Sequence, residues 1–154
     1  TFREMIERGE LAEWARVHDR WYGTPIRNLS EAAERGQFAL LDIDVQGASQ
    51  IRHRIPDAIL VFIMPPSLDV WIDRLRARGT EDADEVQRRL RSALDELACI
   101  DEFDFVVVNA DLEASVDQVG EIARGQVNGR GPVGVQERVA ALRAGVAALL
   151  DAPD

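Results

Sequence analysis

The chain has 154 residues, 46% of them apolar, and a formal net charge of −10. That length allows a core that buries about 68–70% of the unfolded surface, while no apolar run nears the ~18 residues of a membrane span. The acidic balance argues against nucleic-acid binding and obliges any polyanionic ligand to be met by a local basic cluster. A single cysteine, Cys99, excludes an internal disulfide framework and reads as a buried helix residue. With no signal-peptide pattern, a cytoplasmic protein without membrane partners is expected. All 18 basic residues are arginine; lysine is absent.

Three short apolar runs read as strands: FALLDID (Phe38–Asp44), AILVFIM (Ala58–Met64) and FDFVVVN (Phe103–Asn109). Their near-continuous apolar character is that of buried parallel strands. Helical patterns separate them. Residues 46–54 follow the first run. After the second, Leu68, Trp71, Ile72 and Leu75 repeat at helical spacing behind Ser67, a suitable N-cap. From Asp82 to about Ile100, Val86, Leu90, Leu94 and Leu97 form one stripe, with Asp82 and Glu85 placed for a capping box. Strands alternating with helices predict an α/β domain with a parallel sheet. The glycine-rich segment 126–134 reads as a linker. Beyond it, Val135, Val139, Leu142, Val146 and Leu149 predict an amphipathic helix within 135–154, packed on the domain rather than forming an independent coiled coil.

The stretch from Arg74 to Leu90 holds five arginines. On a helix over 67–78, Arg74 and Arg78 lie one turn apart on one flank and Arg76 on the other. Gly79 suits the C′ position that ends such a helix. A hairpin through Thr80 then allows Arg74, Arg78 and Arg89 to aim at one point. Guanidinium forks match phosphate oxygens in geometry and charge. The alternative is a solvated face laced with Asp84–Arg88 and Glu85–Arg89 pairs. Acids stand at the other end of the chemistry. Asp42 and Asp44, two residues apart, share one side of the first predicted strand at its carboxyl end, where ligands bind in open α/β sheets. Such carboxylates hold magnesium or accept from a substrate amine. His18 and His53 have no partner at metal spacing, so no protein-held metal is expected.

In order along the chain stand GELAEWA, YGTP, LLDIDVQG, FIMPPS, RLRARGTE and VVNADL. Together, over Thr1 to about Arg124, they resemble the guanylate kinase family. The resemblance implies transfer of the γ-phosphoryl group of ATP to GMP, with Mg2+ accompanying ATP. It implies the three-layer P-loop nucleotide-kinase fold: a parallel sheet, a helical lid and a small GMP-binding subdomain. The domain then spans 1–125, with 1–30 in the GMP-binding subdomain and 66–100 in the lid region. Glu13 matches the glutamate that binds the guanine edge, where N1–H and the N2 amino group offer adjacent donors to a carboxylate. Tyr22 and Thr24 match positions that bind the GMP phosphate and the base. Asp44 matches an aspartate of the GMP site, and Asp42 one beside it. Arg74, Arg78 and Arg89 match lid arginines, which makes them the catalytic set, and Asn109 matches a position near the ATP adenine.

The family's first strand and G-x-x-x-x-G-K-[ST] phosphate loop do not occur in these residues, and a chain without lysine cannot supply the loop's lysine. Together with a first residue other than Met, this suggests part of a longer enzyme, inactive by itself. The alternative is a non-catalytic guanylate-kinase-like module that binds phosphorylated peptides. Glu13, Thr24, Asp44 and the three lid arginines favour the enzyme, because that set serves phosphoryl transfer to a guanine nucleotide.

Overall fold

Thr1 opens the first helix, α1 (Phe2–Glu7). Its hydroxyl accepts from the Glu4 N–H while the Glu4 carboxylate accepts from the Thr1 backbone nitrogen at 3.0 Å, a capping box. Gly9 ends the helix at φ 66, the left-handed region that favours glycine. Its N–H donates to Ile6 O and that of Glu10 to Met5 O, the paired bonds of a Schellman motif. The chain is thereby turned into a hairpin that the sequence patterns did not predict. In this hairpin β1 (Leu11–Val17) pairs antiparallel with β2 (Arg20–Pro25). Two helices complete this part, α2 (Ile26–Glu34) and α3 (Val45–Arg54).

This computed structural model describes residues 1–17, 20–77, 83–127, 129, 131 and 134–151. The chain divides into two units, Thr1–Leu60 and Val61–Asp154.

In the first unit α3 packs on β1. It buries Gly47, Ala48 and Ile51, one face of the helix. The other face of the hairpin carries aromatics. Trp14 and Trp21 lie diagonally across the strands with ring centroids 5.5 Å apart, and Phe2 of α1 meets Trp21 at 6.1 Å.

The second unit holds the parallel pair. β3 (Val61–Met64) runs alongside β4 (Phe105–Val108) in the register Val61–Phe105 to Met64–Val108. Both strands are shorter than the apolar runs that predicted them. Around them lie α4 (Leu68–Ala77), α5 (Ala83–Ala98), a 3₁₀ turn at Ile100–Glu102, α6 (Leu112–Ala123) and α7 (Val135–Asp151). Ser67 caps α4 as expected: its Oγ accepts from the Val70 N–H at 3.3 Å. The core joins Met64, Leu97, Ile100 and Val106 with Val139 and Leu142 of α7. α7 therefore packs on α4 and α5, with Val146 fully buried and Leu149 at the exposed end of the stripe. No helix among the described residues is long and apolar enough to cross a membrane.

One predicted strand does not form. Residues 37–44 pair with no strand among the described residues, and Phe38 and Leu40 are 75% and 84% exposed. An apolar run becomes a buried strand only where a neighbour takes up its backbone N–H and C=O groups. The parallel sheet of the described residues consists of β3 and β4 alone. Cys99 also differs from expectation. It lies just past α5 and is half-buried, its thiol against Asp95 O at 3.5 Å. The proposed C′ role of Gly79 and the Asp82–Glu85 capping box lie outside the described residues.

Candidate functional site

The hairpin aims Glu13 through an irregularity in its ladder. Leu11 pairs with Pro25, yet Glu13 pairs with Thr24, so Ala12 is an extra residue on β1. In a regular strand Leu11 and Glu13 would share a face. Neighbouring positions of β2 point to opposite faces, and cross-strand partners share one. The bulge therefore turns Glu13 off the Leu11 face and onto the face of Tyr22 and Thr24, the re-aiming that bulges perform beside functional sites.

There the Glu13 side chain is buried, only 4% exposed. A carboxylate at that depth needs hydrogen-bond donors. Thr24 supplies one: its Oγ1 donates to Glu13 Oε1 at 2.7 Å, a charge-assisted bond. Glu13 Oε2 lies against the first turn of α3. A Cβ built on Gly47 would sit 2.9 Å from that oxygen and 3.5 Å from Asp44 Oδ1. Asp44 in turn caps α3, with Oδ1 accepting from the Gly47 N–H at 2.8 Å and Oδ2 from Gln46 Nε2 at 3.4 Å. Glu13, Thr24 and Asp44 thus meet in one corner, formed by the hairpin and the start of α3. Gln50, one turn further along α3, fastens the two elements. Its Oε1 accepts from the Trp14 N–H at 3.1 Å and its Nε2 donates to Trp14 O at 2.7 Å. Arg54 adds a bond from its guanidinium to Leu11 O.

The other sequence candidates fall around this corner or in the second unit. Tyr22 shares the Glu13 face and is 53% exposed, open to a ligand. Asp42 is exposed within the irregular 37–44 segment. The expectation that Asp42 and Asp44 project from one side of a strand end is corrected: no strand is there, and Asp44 is oriented by its cap. Arg74 is exposed near the end of α4, and Arg89 is half-buried on α5. Arg78 lies outside the described residues. Asn109 follows β4 and extends its ladder by donating its N–H to Met64 O at 2.8 Å. Its Oδ1 accepts from Ser115 Oγ at 3.4 Å, which places it at the carboxyl end of the strand pair. Of the two histidines, His53 turns Nδ1 to Ser49 O at 2.7 Å, and His18 is outside the described residues. Among the described residues no three His, Cys, Asp or Glu side chains gather to hold a metal ion.

Sequence reasoning missed Gly47 and Gln50. The only sequence signal for them was their place in the segment DVQGASQ after Asp44. Their roles depend on Glu13, more than thirty residues away in sequence.

Comparisons with known proteins identify the family. The guanylate kinase family pattern matches residues 1–126. The chain is 45% identical over 127 residues to the guanylate kinase of Rhodococcus jostii, covering 81% of this chain and 61% of that protein. It is 44% identical over 124 residues to that of Aromatoleum aromaticum, covering 80% and 61%. The crystal structure of guanylate kinase from Anaplasma phagocytophilum superposes with a TM-score of 0.63 at 31% identity, over 90% of this chain and 68% of that one. The chain thus spans about 61% of the length of these two curated relatives.

Proposed function

Because the chain belongs to the guanylate kinase family, we propose that the protein transfers the γ-phosphoryl group of ATP to GMP, giving ADP and GDP, and that these residues contribute its GMP site. The observation that carries the reading is the buried Glu13 carboxylate, aimed by the Ala12 bulge and held by Thr24 at 2.7 Å. A carboxylate accepts from guanine N1–H and the N2 amino group together. Adenine presents no such pair, so the contact selects guanine. Thr24 lies beside the base, the exposed Tyr22 hydroxyl donates to the GMP phosphate, and Asp44 and Asp42 border the same pocket.

Residues 66–100 act as the lid in this reading. Arg74, Arg78 and Arg89 bring permanent positive charge to the transferring group, and Asn109 stands near the adenine of ATP. Phosphoryl transfer asks the protein chiefly for positioning and electrostatic stabilisation, which these groups supply. In this reading Mg2+ enters with ATP, on phosphate oxygens and water; among the described residues no three His, Cys, Asp or Glu side chains gather at one point. A cytoplasmic location accords with GMP and ATP as substrates.

The test is coupled ADP release by the intact protein with GMP, AMP, CMP or UMP as acceptor. Turnover with GMP above the other three is expected. Absence of turnover together with phosphopeptide binding would replace the enzyme by a binding module.

A further inference from the structure

Glu13 does not hold its place alone. Two residues of α3 (Val45–Arg54) border its carboxylate and the strand that carries it. Glu13 Oε2 occupies the space beside the Cα of Gly47, where a Cβ would stand 2.9 Å away. Real side chains do not sit so close, so an alanine there moves the carboxylate rather than the helix: the near atom is the far end of a flexible side chain. The second neighbour, Ile43 Cβ at 3.1 Å, is tight but not prohibitive. Gln50 acts one residue along the strand. Its amide accepts the Trp14 N–H and donates to the Trp14 C=O, as a paired strand would. The strand segment that carries Glu13 is thereby fixed to the same helix that makes room for its carboxylate.

We propose that Gly47 and Gln50 are positioning residues for guanine selection, holding the Glu13 carboxylate at the point where it accepts from both N1–H and the N2 amino group. The proposal rests on the assignment of Glu13 to the guanine edge. Two simultaneous hydrogen bonds tolerate little displacement, because hydrogen bonds weaken steeply with distance and angle. A shift of a few tenths of an ångström, with the turn of the carboxylate that goes with it, therefore weakens at least one of the two. The N2 contact distinguishes GMP from IMP, whose base lacks that amino group.

The experiment compares kcat/KM for GMP and IMP in the intact protein and its Gly47→Ala variant. The ratio of GMP to IMP should fall about tenfold, the lower end of what one hydrogen bond to a charged group is worth. The change should appear in KM more than in kcat. An unchanged ratio overturns the proposal. Should Gly47→Ala fail to fold, Gln50→Glu is read in the same way. It keeps an acceptor for the Trp14 N–H but sets a charged carboxylate oxygen, in place of the donor, against the Trp14 C=O, and an unchanged ratio there is equally fatal. Glu13→Gln separates the two levels of the argument. If it leaves the ratio intact, the assignment of Glu13 itself has failed. If it lowers the ratio while both α3 variants do not, only the positioning role is lost.

Discussion

Replacing Glu13 by glutamine tests the corner with the least disturbance of shape. The side chain keeps its size, but one oxygen becomes an NH2 group. Thr24 can adapt, because a hydroxyl that now donates to Glu13 Oε1 at 2.7 Å can instead accept from the amide. That leaves one amide oxygen for guanine where the carboxylate offered two acceptors in reach, and it removes the charge. The loss is one charge-assisted hydrogen bond, about 1.5–3 kcal/mol. At 1.4 kcal/mol per factor of ten, kcat/KM for GMP should drop roughly 10- to 150-fold. Stability should change little, because the buried group, 4% exposed, keeps its Thr24 partner. Steady-state kinetics with coupled ADP release gives the first quantity and a urea titration the second. An unchanged kcat/KM for GMP refutes the reasoning. So does an equal loss for GMP and IMP, because it would show a general defect and not a lost contact at N2.

Other outcomes follow from the same geometry. Leu142→Ala, in the core beside Met64 and Val106, should cost about 2–5 kcal/mol of unfolding free energy and leave KM for GMP unaltered; a cost below ~1 kcal/mol by urea titration would mean that α7 contributes little to this unit. Arg74→Ala should lower kcat by about 10²–10³ with less than ~1 kcal/mol lost in stability, as for exposed charges. Arg76→Ala, on the other flank of α4, should be near neutral, and equal damage from both would contradict the lid geometry. Burial raises the Cys99 thiol pKa, and the nearby carboxylates of Glu102, Asp95 and Glu96 raise it further. A raised thiol pKa means less thiolate at a given pH, so iodoacetamide at pH 8 should alkylate the native protein more slowly than the urea-unfolded chain. The same sign makes the thiol favour the folded state less as pH climbs through the raised value. Equal alkylation rates would deny the shift.

The elements legible in the sequence are those whose apolar spacing has one period and one buried face. The α4 stripe behind Ser67 and the α7 repeat from Val135 to Val146 are of this kind, and so are the cores of β3 and β4. The hairpin was hidden by its own design. Leu11, Ala12 and Glu13 are all buried because the bulge at Ala12 interrupts the alternation, and a strand without period two carries no strand signal. The run Phe38–Asp44 failed in the opposite sense: it has the composition of a buried strand, but a strand also needs a partner, which composition does not reveal. In the site, Glu13, Thr24 and Asp44 were recognisable from family resemblance. The Asp44 cap is a local contact, made three residues along the chain to the Gly47 N–H, whereas the contacts of Gly47 with Glu13 and of Gln50 with Trp14 join distant segments, which no local pattern encodes.

The central claim is that Glu13 reads the guanine edge, and the most direct measurement is a crystal structure of the intact protein with GMP bound. The account predicts guanine N1 and N2 each about 2.7–3.2 Å from a Glu13 carboxylate oxygen, with the Thr24 hydroxyl still in contact with Glu13. A guanine bound elsewhere, or one whose N1 and N2 face other groups while Glu13 remains sealed against Thr24 and Gly47, would contradict it.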